Sequence, residues 1–383
     1  MTNVLLIYEV FIPSVKLCAY DQLNYLYERG KISFKHCLAK NVTKTMCERA
    51  DIVVFARSAS VLEEKLAMEF KKCGKLLIYS MDDDLLNVPE YISSGAYFRL
   101  KNVKNRISHI MQLCDFLVTP SPLLGQKYGG TFIRTFLMEE PCVVKPYSIT
   151  TSNKKVKIGF AGSIDRAGDI NNLISGALRE VLHRYGDRVI IEFMGAEPDL
   201  VKEFKLTHFP YENSYKAYKD KLDQLNWDIG LAPLPDTLFH NCKHYNKYIE
   251  YSSSNIVGIY SNVQPYTRVI RNKINGMLCD NTEEAWVNAI SWLIEHDEAR
   301  EAIKEYNNKL MSDRYSIPVV AEQLFCEFQE FTSYHAKECT KFPLRKIKTI
   351  SIIKKSYEFI LKYGVRSPWI ALIKCYNLLR NKG

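Results

Sequence analysis

The stretch WDIGLAPLPDTLFHNCKHYNKYIEYSSSNIVGIY, residues 227–260, decides the fold of this chain. It begins with an apolar run at residues 227–234 and ends with a second apolar run at 256–260. Between these two candidate strands, residues 241–251 are long enough to form a helix. A strand, a helix and another strand in this order predict a parallel βαβ unit of a doubly wound α/β sheet.

The predicted helix carries three charged side chains on one face. Lys243, Lys247 and Glu250 lie at positions i, i+4 and i+7. The amino end of such a helix follows the carboxyl end of a strand, which is the edge where α/β sheets bind ligands, and its free N–H groups attract phosphate. A solvated face with one Lys–Glu pair explains the same charges. The pattern alone therefore leaves a phosphate site and ordinary surface both open.

Apolar runs of strand length recur along the chain in two groups. The first group lies at residues 4–8, 51–56, 75–79, 115–119 and 131–136, and the second at 156–161, 189–194, 207–211, 227–234, 256–260 and 277–279. Helix-length segments separate most of these runs, which favours parallel strands joined by crossovers. We therefore predict two doubly wound, Rossmann-like α/β domains that face a cleft, residues 1–145 and 146–335, followed by a basic helical tail, residues 336–383.

Composition is that of a soluble globular protein of 383 residues, with 47% hydrophobic and 25% charged residues. No apolar run approaches the ~20 residues that span a bilayer, and the first ten residues lack the features of a signal peptide. The eleven cysteines are scattered without a C-x-x-C pair, which predicts reduced thiols in a cytoplasm and no zinc site. The histidines lack H-E-x-x-H spacing, and we interpret His240 and His244 as exposed helix residues.

Two motifs stand at predicted strand ends. Gly162-Ser163, followed by Arg166, closes the strand at residues 156–161, and a glycine there lets a phosphate approach the backbone. One glycine makes neither G-x-G-x-x-G nor G-K-[ST], so a plain βα turn stays open.

The acidic run Asp82-Asp83-Asp84 follows another predicted strand, and adjacent carboxylates need a cation, a proton or a metal. A capped turn, a general base, a hydroxyl-binding pair and a metal-binding D-x-D motif are the alternatives. Arg57 follows the neighbouring strand, and it can pair with the acidic run or hold a phosphate.

The order of these segments resembles the nucleotide-sugar-dependent glycosyltransferases of the two-domain GT-B fold, in the family 4-like group. The resemblance is strongest over residues 156–296, through KIGFAGS, VIIEFMG, WDIGLAPL, FHNCKHYNKYIEY, SNVQPY, NGML and EEAW. Its most specific part is the spacing of Phe239, Asn241, Lys243, Lys247 and Glu250-Tyr251. The amino-terminal half matches more loosely, through its strand order and IYSMDDDLL.

The resemblance implies roles for individual residues. Glu250 would bind the donor ribose, the two lysines would face the diphosphate, and the turn at residues 209–211 would lie near the base. The implied donor-binding residues are Gly162, Ser163, Arg166, Gly195, Pro210, Tyr211, Lys243, Lys247 and Glu250. The implied catalytic residues are Lys247, Glu250, Asp82 and Asp83, with Arg57 and Cys242 as further residues of interest.

This sequence departs from the family pattern at three positions. Cys242 stands where the family has its first glutamate, which contacts the sugar. Ser163 stands where an arginine is usual, and the resemblance implies that Arg166 would take its place. Val257 replaces a usual proline. The identity of the transferred sugar is therefore left open.

The chemistry implied is cleavage of a sugar–phosphate bond, in which negative charge develops on the leaving diphosphate. Two ammonium groups and a helix amino terminus would stabilise that charge, so we expect no metal and no cofactor. An acceptor hydroxyl would lose its proton to the acidic run or, in a retaining enzyme, to the leaving phosphate. We expect a retaining reaction in bacterial cell-surface polysaccharide synthesis, with a glycan or lipid-linked acceptor. A metal-dependent D-x-D transferase and a non-catalytic scaffold are the alternatives.

The tail differs from the rest of the chain in charge. Residues 341–383 contain eleven Lys or Arg and one acidic residue, whereas residues 1–340 sum to −1. Residues 350–363 place Ile350, Ile353, Tyr357, Ile360 and Leu361 on one helical face, and residues 368–379 form a second such segment. This composition suits an anionic membrane surface, and packing against the body or a partner is an equal alternative. We expect a cytoplasmic protein, peripheral on the inner face of the plasma membrane, with no nucleic-acid partner; the oligomeric state is left open.

Overall fold

A computed structural model describes residues 1–148, 155–337, 339 and 341–363 of the chain, with side chains in the last helix as far as residue 355. Two parallel six-stranded sheets organise this part of the protein. The first sheet contains β1 (Asn3–Tyr8), β2 (Ser33–Leu38), β3 (Ile52–Ala56), β4 (Leu76–Ser80), β5 (Phe116–Thr119) and β6 (Arg134–Leu137), in the order β2-β1-β3-β4-β5-β6. The second contains β7 (Val156–Gly162), β8 (Val189–Gly195), β9 (Thr207–Phe209), β10 (Ile229–Ala232), β11 (Val257–Ser261) and β12 (Met277–Cys279), in the order β12-β11-β10-β7-β8-β9.

Helices connect the strands and cover both faces of each sheet. Those of the first half are α1 (Pro13–Val15), α2 (Asp21–Glu28), α3 (Lys44–Arg49), α4 (Val61–Lys72), α5 (Ala96–Arg99), α6 (Lys101–Leu113) and α7 (Pro122–Tyr128). The second half has α8 (Ala167–Leu173), α9 (Ser175–Tyr185), α10 (Asp199–Glu203), α11 (Tyr215–Leu225), α12 (Leu238–Asn241), α13 (Asn246–Ser253), α14 (Glu283–Glu295) and α15 (Asp297–Leu310). The chain continues with α16 (Ile317–Glu327), α17 (Glu330–Ser333) and α18 (Leu344–Tyr363).

Burial on both faces explains why the strands read as continuous apolar runs. In β1, Leu5 and Ile7 belong to one core and Val4, Leu6 and Tyr8 belong to the core on the opposite face of the sheet. Such a strand has no polar face and therefore no alternation. The predicted fold class, two doubly wound α/β units, is confirmed.

Strand β2 was not predicted from the sequence. Its residues read SFKHCL, and Lys35 and His36 are exposed. β2 is the edge strand of the first sheet, with a neighbouring strand on one side only. Edge strands often carry charged side chains. The two polar residues are therefore compatible with a strand at this position, but they interrupt the apolar run by which a strand is predicted from sequence.

The segment after α15 crosses to the first sheet. Four apolar residues of this segment are buried in the core that contains β1 and β3: Ala321 and Leu324 of α16, Phe328 just after α16, and Phe331 of α17. We assigned this segment to the second domain by sequence, whereas its packing places it on the first. The start of α18 continues the crossing, because Leu344 and Ile347 are buried with α4 and β4.

Two of the cysteines meet just before α18. The sulfur atoms of Cys73, after α4, and Cys339, before α18, are in contact. This contact ties the returning segment to the first half, and reduced thiols stay a prediction. Spacing alone gave no signal for the contact, because 266 residues separate the two cysteines.

The tail is described only in part. Ile350 and Ile353 of α18 are 40% and 60% exposed, whereas Lys348 donates to the carbonyl oxygens of Lys40 and Val42 at 3.0 and 2.8 Å. The predicted apolar positions 357, 360 and 361, and the second segment at 368–379, lie outside the described side chains. Within the described residues, no helix is both long and apolar enough to cross a bilayer.

Candidate functional site

A cavity of about 380 Å³ lies between the carboxyl ends of the two sheets. Most of the predicted site residues line it: Arg57, Asp82, Asp83, Gly162, Ser163, Arg166, Lys243, Lys247 and Glu250. Gly195, Pro210 and Tyr211 are not among the lining residues, but Gly195 pairs with Gly162 in the register of β7 and β8. A Cβ atom on Gly195 would lie 3.3 Å from the ring of Tyr211, so Tyr211 lies close to the end of β8.

The predicted helix at residues 241–251 is broken. Helix α12 ends at Asn241 and α13 begins at Asn246, with four residues between them. Cys242 lies in that break and is buried in the core of the first half. It therefore packs as an apolar residue, and it is not among the residues that line the cavity.

The break separates the charges that we expected on one helical face. Lys243 reaches across the cleft, and its Nζ lies 2.7 Å from Asp83 Oδ1. Lys247 and Glu250 stay together on α13, one turn apart, and form an ion pair. The prediction of three charges on one face is thus wrong for Lys243 and correct for the other two.

Glu250 is held by a residue that the sequence did not indicate. Tyr218, on α11, donates its hydroxyl proton to Glu250 Oε2 at 2.7 Å. Lys247 Nζ lies 3.0 Å from the Tyr218 hydroxyl and 5.4 Å from the centre of its ring. Glu250 is 9% exposed and lines the cavity, so its carboxylate is oriented before any ligand arrives.

The acidic run divides into two kinds of carboxylate. Asp82 is ion-paired with Arg57, and Asp83 Oδ2 lies 3.2 Å from the same guanidinium. Burial opposes ionisation of Asp83, but Lys243 and Arg57 together lower the pKa of its carboxyl well below the usual range. The Asp83 carboxylate therefore stays charged at the cavity wall.

Asp84, unlike Asp82 and Asp83, does not line the cavity. It is buried away from the cavity lining, and it accepts hydrogen bonds from Lys127 Nζ at 2.6 Å and from the Tyr128 hydroxyl at 2.5 Å. Asp82 and Asp84 thus each have a cationic partner, which disfavours the D-x-D interpretation of the run.

Other contacts close the cleft over the Gly162 turn. Ser93 and Ser94, in the first half, each donate a hydroxyl proton to the carboxylate of Asp165 at 2.5 Å. The ring of Tyr91 stacks on His240 with centroids 6.2 Å apart. The structure therefore shows the two halves in contact on the side of the cavity that contains the Gly162 turn.

Both histidines that we interpreted as exposed are buried, so that interpretation is wrong. His240 is 1% exposed, and burial together with the charges of Arg166 and Lys243 lowers its pKa to about 3. His244 is 7% exposed. Its Nε2 lies 3.0 Å from Glu139 Oε2 and its Nδ1 lies 2.6 Å from Asn246 Oδ1. His244 therefore links the connecting segment between the sheets to the first residue of α13.

Protonation of His244 strengthens this link. Burial alone would lower its pKa, but the hydrogen bond with Glu139 and the charge of Glu140 outweigh burial and raise the pKa. The same contact lowers the pKa of Glu139 against the effect of its burial. These residues were missed because the carboxylates lie more than 100 residues before His244 in the sequence.

Glu140 belongs to a buried group at the floor of the cleft. It is 2% exposed, and it accepts a hydrogen bond from the Cys18 thiol at 3.1 Å. The thiol, Asp82 and Glu140 offer ligand atoms within 4.8 Å of one another, a grouping that suits a metal ion in principle. Arg57 already neutralises Asp82, and burial raises the pKa of Cys18. We therefore interpret Cys18, Asp82 and Glu140 as a cluster held by hydrogen bonds and by the ion pair with Arg57.

We expect Glu140 to make stability depend on pH. Burial, reinforced by Asp82, raises its pKa to about 7. The folded protein then holds this proton more tightly than the unfolded chain does, so the stabilisation is complete below the ordinary carboxyl pKa and is lost as the pH rises through 7. Between pH 6 and 8 the wild type should lose about 1 kcal/mol relative to Glu140→Gln.

Urea unfolding of both proteins at pH 6 and pH 8 measures this difference. Glu180→Gln is the control, because Glu180 forms a surface pair with Arg184. Equal pH dependence of the wild type and Glu140→Gln would contradict the raised pKa.

This architecture is the GT-B fold. A glycosyltransferase from Rickettsia africae ESF-5 is similar with a TM-score of 0.59 and 14% identity, over 86% of this chain and 98% of that chain. Anabaena Alr3699/HepE in complex with UDP-glucose gives a TM-score of 0.59 and 12% identity, over 86% and 100%. A putative UDP-N-acetylglucosamine 2-epimerase from Listeria monocytogenes gives 0.54 and 10%, over 86% and 96%. No protein-family model and no curated protein matches the sequence.

Proposed function

We propose that this protein is a glycosyltransferase that moves a sugar from a nucleotide-sugar donor to an acceptor hydroxyl. The observation that carries the proposal is the pair Lys247 and Glu250, which lines one cavity with the turn of Gly162 and Ser163. A carboxylate suits a ribose diol, and an ammonium group beside backbone N–H groups suits a diphosphate. The likeness to structures solved with UDP and UDP-glucose supports the same donor class.

The site also supports a route for the reaction. Lys247, at the amino end of α13, would stabilise the charge that develops on the leaving diphosphate, without a metal ion. Asp83 is a weak base because its pKa is lowered, so the leaving phosphate is the better acceptor for the hydroxyl proton. That assignment fits transfer with retention. Asp82 and Asp83 would then bind the acceptor.

The acceptor in this proposal is a glycan or a lipid-linked glycan of a bacterial cell-surface polysaccharide. A cytoplasmic enzyme that extends such a lipid must associate with the membrane surface. The basic segment at residues 341–383 would bind its anionic lipids. Sedimentation of the full chain with phosphatidylglycerol vesicles, but not with phosphatidylcholine vesicles, tests this part. Equal sedimentation with both would contradict it.

Calorimetric titration with UDP, GDP, ADP and dTDP, each with and without excess EDTA, tests the donor class. We expect at least one of them to bind at micromolar concentration and EDTA to leave that affinity unchanged. If none binds, the proposal fails. Binding that disappears in EDTA would favour the metal-dependent alternative, and binding without turnover on any acceptor would favour a scaffold.

A nucleotide-sugar epimerase is the second candidate, favoured by the likeness to the Listeria protein. Incubation with UDP-N-acetylglucosamine in the absence of an acceptor separates the two candidates. An epimerase converts the sugar during this incubation, whereas a transferase leaves it intact or hydrolyses it slowly.

A further inference from the structure

Tyr218 connects the two charged residues of the donor site. Its hydroxyl lies 2.7 Å from Glu250 Oε2 and 3.0 Å from Lys247 Nζ, and Lys247 also contacts Glu250 Oε2. The three polar groups thus form a closed triangle, contributed by α11 and α13. Tyr218 itself is 32 residues before Glu250 in the sequence.

The direction of each hydrogen bond follows from the charges. Burial and the nearby Glu250 carboxylate raise the pKa of Tyr218 well above its ordinary value, so the hydroxyl keeps its single proton. A carboxylate only accepts and an ammonium group only donates. The Tyr218 proton therefore points to Glu250, and an oxygen lone pair receives Lys247.

This arrangement leaves one side of each charged group for a ligand. Glu250 Oε2 is occupied by Tyr218 and Lys247, whereas no donor among the described residues is within hydrogen-bond distance of Oε1. Lys247 directs two of its three N–H bonds into the triangle and keeps the third. Both residues line the cavity, where the free oxygen and the free N–H can meet a ligand.

We propose that Tyr218 is a positioning residue of the donor site, which directs Glu250 Oε1 to the ribose hydroxyls of a nucleoside diphosphate and the remaining N–H of Lys247 to its diphosphate. This inference rests on the proposed function. Without the hydroxyl, the carboxylate of Glu250 would be free to rotate about its last side-chain bond. Lys247 would then pair with either carboxylate oxygen. The main loss would then fall on recognition of the ribose.

The test compares each nucleoside diphosphate with its 2′,3′-dideoxy counterpart. UDP, GDP and ADP and their dideoxy forms are titrated into the wild type, Tyr218→Phe and Tyr215→Phe. Phenylalanine keeps the ring under Lys247 and removes only the hydroxyl. Tyr215 is the matched control, because its ring lies 6.0 Å from that of Tyr218 on the same helix and its hydroxyl is outside the triangle.

For the best-binding nucleotide we expect the wild type and Tyr215→Phe to prefer the ribose form by at least about tenfold, since loss of the diol leaves Glu250 Oε1 without a hydrogen-bond donor in the occupied site. In Tyr218→Phe we expect this preference to fall below about threefold, while the affinity for the dideoxy form changes little. In turnover, the KM for the donor should rise several-fold more than kcat falls.

Each outcome decides one claim. If Tyr218→Phe weakens the ribose and dideoxy forms equally, the hydroxyl supports structure only and the inference is overturned, whereas the proposed function stands. An unchanged preference overturns it in the same way. If no nucleoside diphosphate binds the wild type, the proposed function fails and this inference fails with it.

Discussion

Lys247→Met is expected to lower kcat/KM for the donor by about 100- to 1000-fold, the usual loss when one group that stabilises developing charge is removed. Methionine keeps the unbranched stem of the side chain and removes the ammonium group. Lys247 is half-buried between Glu250 and Tyr218, so solvent cannot replace it easily. Because the diphosphate carries more negative charge in the transition state than in the bound nucleotide-sugar, kcat should fall more than the affinity for that nucleotide.

Initial rates and nucleotide titrations on the same preparations check this expectation. Lys216→Met is the control, because Lys216 is 81% exposed and its ion pair with Asp220 lies on the surface of the same half. Its rate should stay within about twofold of the wild type, as for most surface ion pairs. If Lys247→Met keeps more than a tenth of the wild-type kcat/KM, the ammonium group does not act on the leaving diphosphate.

The sequence predicted most strands from their buried apolar runs, and it missed β2. Lys35 and His36 interrupt β2, so no apolar run marks it. The break between α12 and α13 has a similar cause. Residues 242–245 contain neither glycine nor proline, and the docking of Cys242 on the core of the first half replaces a local stop signal. Tertiary contacts decided both cases.

The candidate site was predictable where its residues follow strands or share a helix. Lys247 and Glu250 are one turn apart, Asp82 follows β4, and Gly162 is the last residue of β7. Their supporting partners were not predictable in this way. Tyr218 reaches Glu250 from another helix, and Glu139 reaches His244 from the segment between the sheets. A single sequence has no local pattern for such contacts.

Gly195→Ala is expected to lower the free energy of unfolding by about 3 kcal/mol and to weaken nucleotide binding at least tenfold. Gly195 has φ +84, which an alanine adopts at a cost of about 1 kcal/mol. A Cβ atom there would lie 2.0 Å from the carbonyl oxygen of Gly162. That oxygen cannot move alone, because β7 and β8 are paired along their length, and such overpacking costs a further ~1–3 kcal/mol.

Two other glycines separate these effects. Gly186→Ala tests the energetic cost of a positive φ without a steric clash, since φ is +48 there and no atom lies within 4 Å of an added Cβ. Gly168→Ala, in α8, has neither the positive φ nor a close neighbour and should be neutral or slightly stabilising. Urea midpoints should therefore fall in the order Gly168→Ala, Gly186→Ala, Gly195→Ala. Only Gly195→Ala should also lose nucleotide affinity, because of the three variants only this one places a methyl group against the turn at Gly162. Wild-type affinity in Gly195→Ala would show that this turn takes no part in binding the diphosphate.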